Sequence, residues 1–387
     1  MTLSFKEERN QQVFRAQVRA FARDVLSPQV ATLDAKEKMS PELLGNLANL
    51  GLFGCTLESC YGGAGRDELS YLMAVEELAA VDGSHAAIIA SHNSLGIGSL
   101  SLWGNEEQKR HYLPGLCTGK ELWGFALTEK QSGSDVKNCA TQARELASGG
   151  FALTGSKVWI TNTACAQNRG VTVMAMTSPH ESQSRELSCF IVPREAKGFQ
   201  QIPMTGKMMW RATATGHLVF NEVHLAPDQL LGQRGQGMAQ MMTVLNSGRL
   251  SIAAMGVGLA RGAYELARQH ALTKKTFGRH LIDHQGVAFK LAAMVTKVEA
   301  ARNLLWKACW LKSTNQGFSR EASMAKLFCS EVAEFCVREG SQIVAGEGLF
   351  HGHPMERFYR DVAILRIGEG TSEIQKLVIS RSLKNHP

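Results

Sequence analysis

The chain has 387 residues, 44% of them hydrophobic and 20% charged, which excludes a disordered or fibrous protein and is too long for one simple core, so two or three subdomains are expected. A net charge of +7 suits anionic ligands, and with no basic block longer than Lys274-Lys275 it says little about DNA. No run reaches the roughly 18 apolar residues of a membrane span. Met1 to Glu7 lead into charged helical sequence without the apolar centre of an export signal, so a cytoplasmic location is expected. The nine cysteines are odd in number, scattered and without a Cys-x-x-Cys pair. They read as reduced thiols, not as disulfides or a metal site.

In chain order, residues 6–26 set Val13, Phe14, Val18, Phe21, Ala22 and Val25 at spacings of three and four, one apolar helical stripe. Ser40-Pro41-Glu42 is a helix start, with a hydroxyl cap, proline in the first turn and then an acid. Leu43, Leu44, Leu47 and Leu50 continue that helix until Gly51 and Gly54 end it, and Tyr61-Gly62-Gly63-Ala64-Gly65 forms a glycine loop. Helices are expected at Glu68 to Ala80 and Gly83 to Ser99, the second rich in alanine and glycine, and Asn105 caps another from Glu106 to Tyr112. His85 and His92 lack carboxylate or cysteine partners at ligand spacing and read as core or pocket wall.

Near residue 121 the period changes from 3.6 to 2. Short β-branched and aromatic runs at Phe125, Phe151, Lys157, Gly170, Cys189 and His217, divided by turns such as Ser148-Gly149-Gly150, predict an antiparallel, barrel-like β domain. Helices return at Met238 to Thr273, His284 to Ser313, Ser319 to Val344 and Thr371 to Leu383. The expected division is an N-terminal all-α domain over 1–120, a central β domain over 121–232 and a C-terminal four-helix-bundle-like domain over 233–387, an α+β multidomain protein. Gly256-Val257-Gly258-Leu259-Ala260-Arg261-Gly262 looks dinucleotide-binding, but it lies inside a helical pattern with no preceding strand. Its small residues, with Ala253 and Ala254, are read as a close helix-packing face.

The segment with most chemical content is Arg366-Ile367-Gly368-Glu369-Gly370-Thr371-Ser372-Glu373-Ile374-Gln375. Two glycines flank Glu369, so the backbone can take positive φ and approach a ligand closely. Ser372 and Gln375 have capping-box spacing and place Glu369 just ahead of a helix. The apolar surroundings Val362, Ile364, Leu365 and Ile367 would raise its pKa and strengthen it as a base. A plain turn between two helices is the alternative reading of an isolated Gly-Glu-Gly.

Together with Tyr359-Arg360-Asp361 and Ile379-Ser380-Arg381, this segment resembles the C-terminal motif of the acyl-CoA dehydrogenases. Two stretches of the β region extend the resemblance to essentially the whole chain. Phe125-Ala126-Leu127-Thr128-Glu129 with Gly133-Ser134-Asp135 is similar to the family's aliphatic, Thr-Glu, Gly-Ser-Asp pattern, and Lys157-Val158-Trp159-Ile160-Thr161-Asn162 to its Trp-Ile-Thr strand. The closest likeness in motif is to the short- and medium-chain, butyryl-CoA-type members.

The resemblance implies the acyl-CoA dehydrogenase fold and FAD-dependent conversion of an acyl-CoA to a trans-2-enoyl-CoA, with Glu369 taking the α-proton as the β-hydride moves to flavin N5. In the isovaleryl and long-chain branches the base comes from the position of Gly248, where glycine cannot serve. The resemblance also implies FAD contacts from Phe125, Leu127, Thr128, Ser134, Trp159, Ile160, Thr161, Thr371 and Glu373. Contacts with a neighbouring subunit's FAD are implied for Lys274, Phe277 and Gln285, which resemble Arg-x-x-Phe-Gly and a following glutamine, and for Gln342 and Gly346 of the Gln-x-x-Gly-Gly-x-Gly-like segment. Substrate contacts fall on Ser134, Leu245, Asn246, Arg249, Gly368 and Gly370, with Arg249 an anion or carbonyl partner. A homotetramer built as a dimer of dimers, electron transfer to an electron-transferring flavoprotein, and neither metal, nucleic acid nor membrane insertion complete the implied picture.

Departures from the family pattern are Glu58-Ser59-Cys60 before the glycine loop, Asn138, Met209, Lys274 for arginine, Ala345 for glycine, and Gly368, where short- and medium-chain members carry tyrosine. The missing ring at Gly368 predicts room for a branched, cyclic or functionalised acyl group, the alternative being that a neighbour such as Met209, Trp210 or Phe350 swings in and restores an ordinary short straight-chain pocket. Members of the fold that act on acyl-carrier protein, react with oxygen as oxidases, or bind DNA are the alternative functions.

Overall fold

The computed structural model describes residues 7–147, 149–178 and 185–383. Met1 to Lys6, part of the stretch read as lacking an export signal, and Ser148 of the expected Ser148-Gly149-Gly150 turn lie outside the described residues. Helices come first: α1 (Arg9–Phe21), α2 (Ser27–Lys36), α3 (Pro41–Asn49), α4 (Glu68–Ala79), α5 (Gly83–Ser91), α6 (Gly98–Trp103) and α7 (Glu106–Leu116). Side-chain caps set their starts. Ser40 accepts from the Leu43 amide at 3.3 Å, Asp67 from Ser70 at 2.8 Å, Asp82 from His85 at 2.9 Å, and Asn105 exchanges bonds with Gln108. The helices expected over 6–26 and 83–99 are each interrupted by a wide π-turn, Ala22–Leu26 and His92–Ile97. Such turns re-aim side chains within a helix, and the second brings Leu95 toward the site described below.

The sheet follows, from β1 (Leu122–Ala126), β2 (Gln142–Glu145), β3 (Phe151–Thr161), β4 (Asn168–Met176), β5 (Leu187–Pro193), β6 (Phe199–Pro203), β7 (Thr215–Leu225) and β8 (Leu230–Leu231). Its order is β6-β7-β3-β2-β4-β5-β8, with β1 paired to β4. That pairing is parallel, so the sheet is mixed and not purely antiparallel as expected; the β2–β3 hairpin between the two strands serves as the crossover that parallel strands require. The strand runs expected at Phe151 and Lys157 are one continuous strand. The polar strands β2 and β6 lie outside the alternation pattern because few of their side chains face the core.

Helices close the chain: α8 (Gly237–Thr273), α9 (Gln285–Ser313), α10 (Ser319–Val344), α11 (Pro354–Leu365) and α12 (Ser372–Ser382), with a two-residue ladder of β9 (Lys275–Thr276) and β10 (Arg279–His280) before α9. The glycines of the false dinucleotide motif sit within α8. A Cβ at Gly256 would lie 2.8 Å from the Cys329 carbonyl, one at Gly258 2.4 Å from that of Glu76, and one at Gly262 2.3 Å from that of Ala80. Only hydrogen fits there, and α4 and α10 therefore close directly onto α8. Buried Glu76 and Glu77 are held by Arg15, Arg19, Arg261 and Arg302, which joins α1, α4, α8 and α9.

The N- and C-terminal helices share one apolar core, so the sheet is docked on a single helical body. Trp123, Phe125, Leu95 and Leu100 form the seam between them, and Phe151, Phe190, Leu218 and Phe220 fill the sheet's own layer. Burying each such side chain contributes on the order of 1.5–3 kcal/mol. His92 is a core residue: Nε2 faces the Leu116 carbonyl at 2.9 Å, Nδ1 accepts from the Trp123 amide at 3.3 Å, and burial holds the ring neutral with a pKa lowered to about 4. His85 is likewise buried, paired with Asp82 at 2.6 Å.

Candidate active site

Glu369 lies in the turn between α11 and α12. The Gly368 amide donates to Ile364 at 2.8 Å and the Ser372 amide to Arg366 at 3.0 Å, which closes the turn on itself. Glu369 has φ 55° and Gly370 φ 93°; holding a non-glycine residue in this left-handed region costs roughly 1–3 kcal/mol. The cap of α12 is Thr371, which accepts from the Ile374 amide at 3.3 Å, and not Ser372, whose buried hydroxyl has no partner. Gln375 turns back from the helix instead, and its amide donates to the Gly370 carbonyl at 2.8 Å and the Glu369 carbonyl at 3.3 Å.

The Glu369 carboxylate points at α8. Its Oε2 is buried without a hydrogen-bond partner among the described residues, and a Cβ built on Gly248 would stand 1.7 Å from that oxygen. Burial pushes the carboxyl up to about 7, against the opposing pull of Lys326 and Arg249. The result is a carboxyl whose titration is moved toward neutral pH and whose Oε2 accepts from no donor among the described residues.

Both cations are themselves buried. Arg249 is 1% exposed, with Nη1 donating to Asn246 Oδ1 at 2.7 Å and to Ser323 at 3.4 Å, and its Nε is unpartnered. It is a neighbour of Glu369 within the helical body, its charge acting on the carboxylate. Asn246 also accepts from Ser319 at 3.2 Å; as a neutral amide it leaves the charge of Arg249 uncompensated. Leu245 is half-buried in the seam core that contains Leu95. Sequence reasoning missed Lys326, whose ammonium is fully buried on α10 and donates to the Gly370 carbonyl at 2.7 Å. Burial lowers its pKa to about 8, with Glu369 acting in the opposite sense.

The two β-region motifs meet. β3 bulges opposite β7 between Lys157 and Ile160, and within the bulge Trp159 has φ 60°. The freed Val158 amide donates to the Thr128 carbonyl at 2.9 Å, tying the Phe125–Asp135 segment to the Trp-Ile-Thr segment. Behind them Lys157 and Glu129 form a buried pair at 2.8 Å, and Lys157 also donates to the Leu127 carbonyl at 3.0 Å. Although burial opposes its ionisation, Glu129 is held down to about 2 by Lys157, Thr141 and the Ala140 amide.

This bulge turns the Trp159 ring outward, 58% exposed, while Ile160 packs into the sheet core. Ile160 can therefore offer a ligand only its backbone. Phe125 is buried, Leu127, Thr128 and Thr161 are half-buried, and Ser134 is exposed. An exposed indole on a rigid bulge beside these hydroxyls fits a planar aromatic group with polar edges, as an isoalloxazine has.

The remaining predicted cofactor residues lie apart, on the outer surface. Lys274, Phe277, Gln285, Gln342 and Gly346 are all exposed, Phe277 to 92%, and Glu347 draws the Lys274 and Gly346 segments together through Lys274 at 3.7 Å. Thr371 and Glu373 flank the start of α12, and Glu373 is exposed. Among the described residues no group of histidine, cysteine or acidic side chains could hold a metal ion.

Sequence models described as the acyl-CoA dehydrogenase N-terminal, middle and C-terminal domains match residues 8–120, 124–223 and 235–384. The chain is 36% identical to the short-chain specific acyl-CoA dehydrogenase of Clostridium acetobutylicum, over 98% of this chain and 99% of that protein. The chain belongs to the acyl-CoA dehydrogenase family. Butyryl-CoA dehydrogenase from Megasphaera elsdenii superposes with a TM-score of 0.94 at 34% identity, covering 98% of this chain and 100% of that one. A glutaryl-CoA dehydrogenase from Mycobacterium smegmatis, solved with FADH2, superposes at 0.92 with 28% identity, over 98% and 95% of the two chains. The architecture is accordingly the three-part acyl-CoA dehydrogenase fold, N-terminal helices, central sheet and C-terminal helices, of an FAD-dependent oxidoreductase family.

Proposed function

We propose that this chain oxidises an acyl-CoA thioester between its α and β carbons, with Glu369 as the base that removes the α-proton. The observation that carries this reading is the free Oε2 of Glu369, buried, unpartnered and held over Gly248 by a strained turn. An unactivated α C–H is a poor acid, so the base must be desolvated and fixed in advance. Burial supplies the first condition, and the bonds to the Glu369 and Gly370 carbonyls supply the second. FAD, when bound, supplies the acceptor for the β-hydrogen and its electron pair. Trp159, Thr161, Phe125, Leu127, Thr128 and Ser134 would hold it from within the subunit, and Lys274, Phe277, Gln285, Gln342 and Gly346 from a neighbour. Leu245, Gly368, Gly370 and Ser134 would border the acyl-CoA.

A homotetramer is supported by the uncovered side chains Phe277, Phe289, Leu349 and Phe350, each more than 60% exposed, since large apolar surface of this kind marks an assembly face. An electron-transferring flavoprotein is the proposed electron acceptor and the cytoplasm the proposed location; no described helix is long and apolar enough to cross a membrane. The test is anaerobic mixing of the purified protein with acyl-CoA thioesters of two to eight carbons. Bleaching of a bound flavin with formation of the enoyl product is expected for the short members, and a protein that takes up no FAD on reconstitution, or whose flavin no thioester bleaches, rejects the reading.

Gly368 bears on the substrate. The nearest atoms to a Cβ placed there all belong to Ile364, at 3.5–3.9 Å, so a side chain could start from this position without meeting backbone or side-chain atoms of Met209, Trp210 or Phe350. The Trp210 ring lies against Gly83, its Cδ1 and Nε1 3.0 Å from a Cβ built there, and Phe350 is 74% exposed. Branched or cyclic acyl thioesters are therefore expected to compete well with straight chains of equal carbon number, and Gly368→Tyr to shift the ratio of kcat/KM values toward the straight chain by about 10-fold or more. A wild-type enzyme strongly favouring straight chains, with a ratio unmoved by the substitution, excludes the enlarged pocket.

A further inference from the structure

The catalytic turn carries a backbone conformation that its own residues do not favour, and something outside it must hold it. Ser330, one turn further along α10 from Lys326, donates to the Leu365 carbonyl at 2.9 Å and fixes the start of the turn. Lys326 fixes its end. The ammonium is fully buried and, among the described residues, makes one hydrogen bond, to the Gly370 carbonyl at 2.7 Å, with no carboxylate paired to it. Burying a cation costs several kcal/mol unless it is compensated, so a lysine kept here for packing alone would be poorly chosen. Methionine would fill nearly the same volume.

We propose that Lys326 is a positioning residue for the reaction, its buried ammonium pinning the Gly370 carbonyl and so holding Glu369 in the left-handed conformation that aims the carboxylate across Gly248. This rests on the assignment of Glu369 as the base. The same charge stabilises the ionised form of Glu369, so Lys326 sets both the direction of the base and the pH at which it becomes available.

The charged and titratable surroundings are few. Arg249 from α8 and Lys326 from α10 act on the carboxylate directly. Glu373 of α12 and Arg366 at the end of α11 act on Lys326. Tyr71 of α4, its hydroxyl 2.9 Å from Ser251, is coupled to Glu369 and stays protonated because burial raises its pKa. His92 in the wide turn is neutral. Loss of Lys326 leaves Arg249 as the single cation acting on the base.

The experiment uses FAD-loaded enzyme and compares Lys326→Met, Lys326→Arg and Glu369→Gln by stopped-flow flavin reduction with butyryl-CoA from pH 5.5 to 9, alongside FAD content and thermal melting. Gln375 still donates to the Gly370 carbonyl in the methionine variant, so no buried acceptor is left bare and the fold should stand. Lys326→Met should keep its FAD, reduce about 10²-fold more slowly at the plateau because the base is misdirected, and move the acid limb up by about one pH unit or more because a stabilising cation is gone. Lys326→Arg should return the limb toward wild type by restoring the charge. Should the methionine variant not fold, Lys326→Gln carries the same comparison.

A variant with wild-type rate and limb overturns the proposal. So does a slow variant whose limb is unmoved and whose FAD is lost in proportion, since that marks a merely structural lysine. Flavin reduction surviving in Glu369→Gln overturns the base assignment instead, so the two failures are told apart.

Discussion

Glu369→Gln is expected to bind FAD and acyl-CoA like wild type yet reduce the flavin at least about 10²–10⁴-fold more slowly, the usual contribution of a positioned general base. The amide is nearly isosteric with the carboxylate, and the contacts that hold the turn come from its backbone, from Lys326 and from Gln375, none of which is altered. In the wild type the reduction rate should rise with pH through about 7, where burial has placed the Glu369 carboxyl, and then level off. Stability should move in the opposite sense. The carboxyl is raised from its ordinary 4.5 to about 7 in the folded chain, so between these values the folded state binds more protons than the unfolded state, and stability falls as pH rises. Asp361, which burial and Asp82 also push up to about 7, contributes with the same sign in both proteins. The variant, which keeps only the Asp361 part, should therefore melt at a higher temperature than wild type above pH 7 and no higher near pH 5. Flavin reduction at close to the wild-type rate would mean that another group takes the proton, and equal melting temperatures at pH 8 would mean that the carboxylate is not desolvated.

Most of what made this site legible was local. Two glycines around an acid, a hydroxyl beside a helix start and an alternating aromatic strand each restrict the chain within a few residues, and each forms the turn, cap or strand that its residues predict. The misses are positions whose meaning depends on a distant partner. Lys326 reads as an ordinary helical lysine in Ala325-Lys326-Leu327, and only the packing of α10 under the α11–α12 turn makes it a buried donor. The burial of Arg249 beside Glu369 is likewise invisible until α8 is placed against α10, where Ser323 receives its guanidinium. The parallel pairing of β1 with β4 is invisible because alternation reports which face a residue takes and not which strand lies beside it. Thr371 and Ser372 are chemically equivalent caps one residue apart. Backbone geometry chose the first and freed Gln375 to hold the turn.

Gly248→Ala should separate catalysis from stability. The added methyl would lie 1.7 Å from Glu369 Oε2, 2.7 Å from its Cδ and 3.0 Å from Leu95 Cδ2. All three are side-chain atoms, and the carboxylate is the free end of a flexible chain, so it yields where a backbone carbonyl would not. Alanine is also the better helix former by about 1 kcal/mol, which offsets part of any repacking within α8. The melting temperature should change little. The carboxylate, however, must retreat by more than about 1 Å to reach van der Waals distance, and a displacement of that size at a reacting group costs about 10²-fold in rate. Gly256→Ala is the matched control on the same helix, because its methyl would meet the Cys329 backbone carbonyl at 2.8 Å. That variant should lose stability and keep its rate of flavin reduction in whatever fraction folds. If Gly248→Ala instead reduces its flavin like wild type, Glu369 does not react from the position it holds over α8.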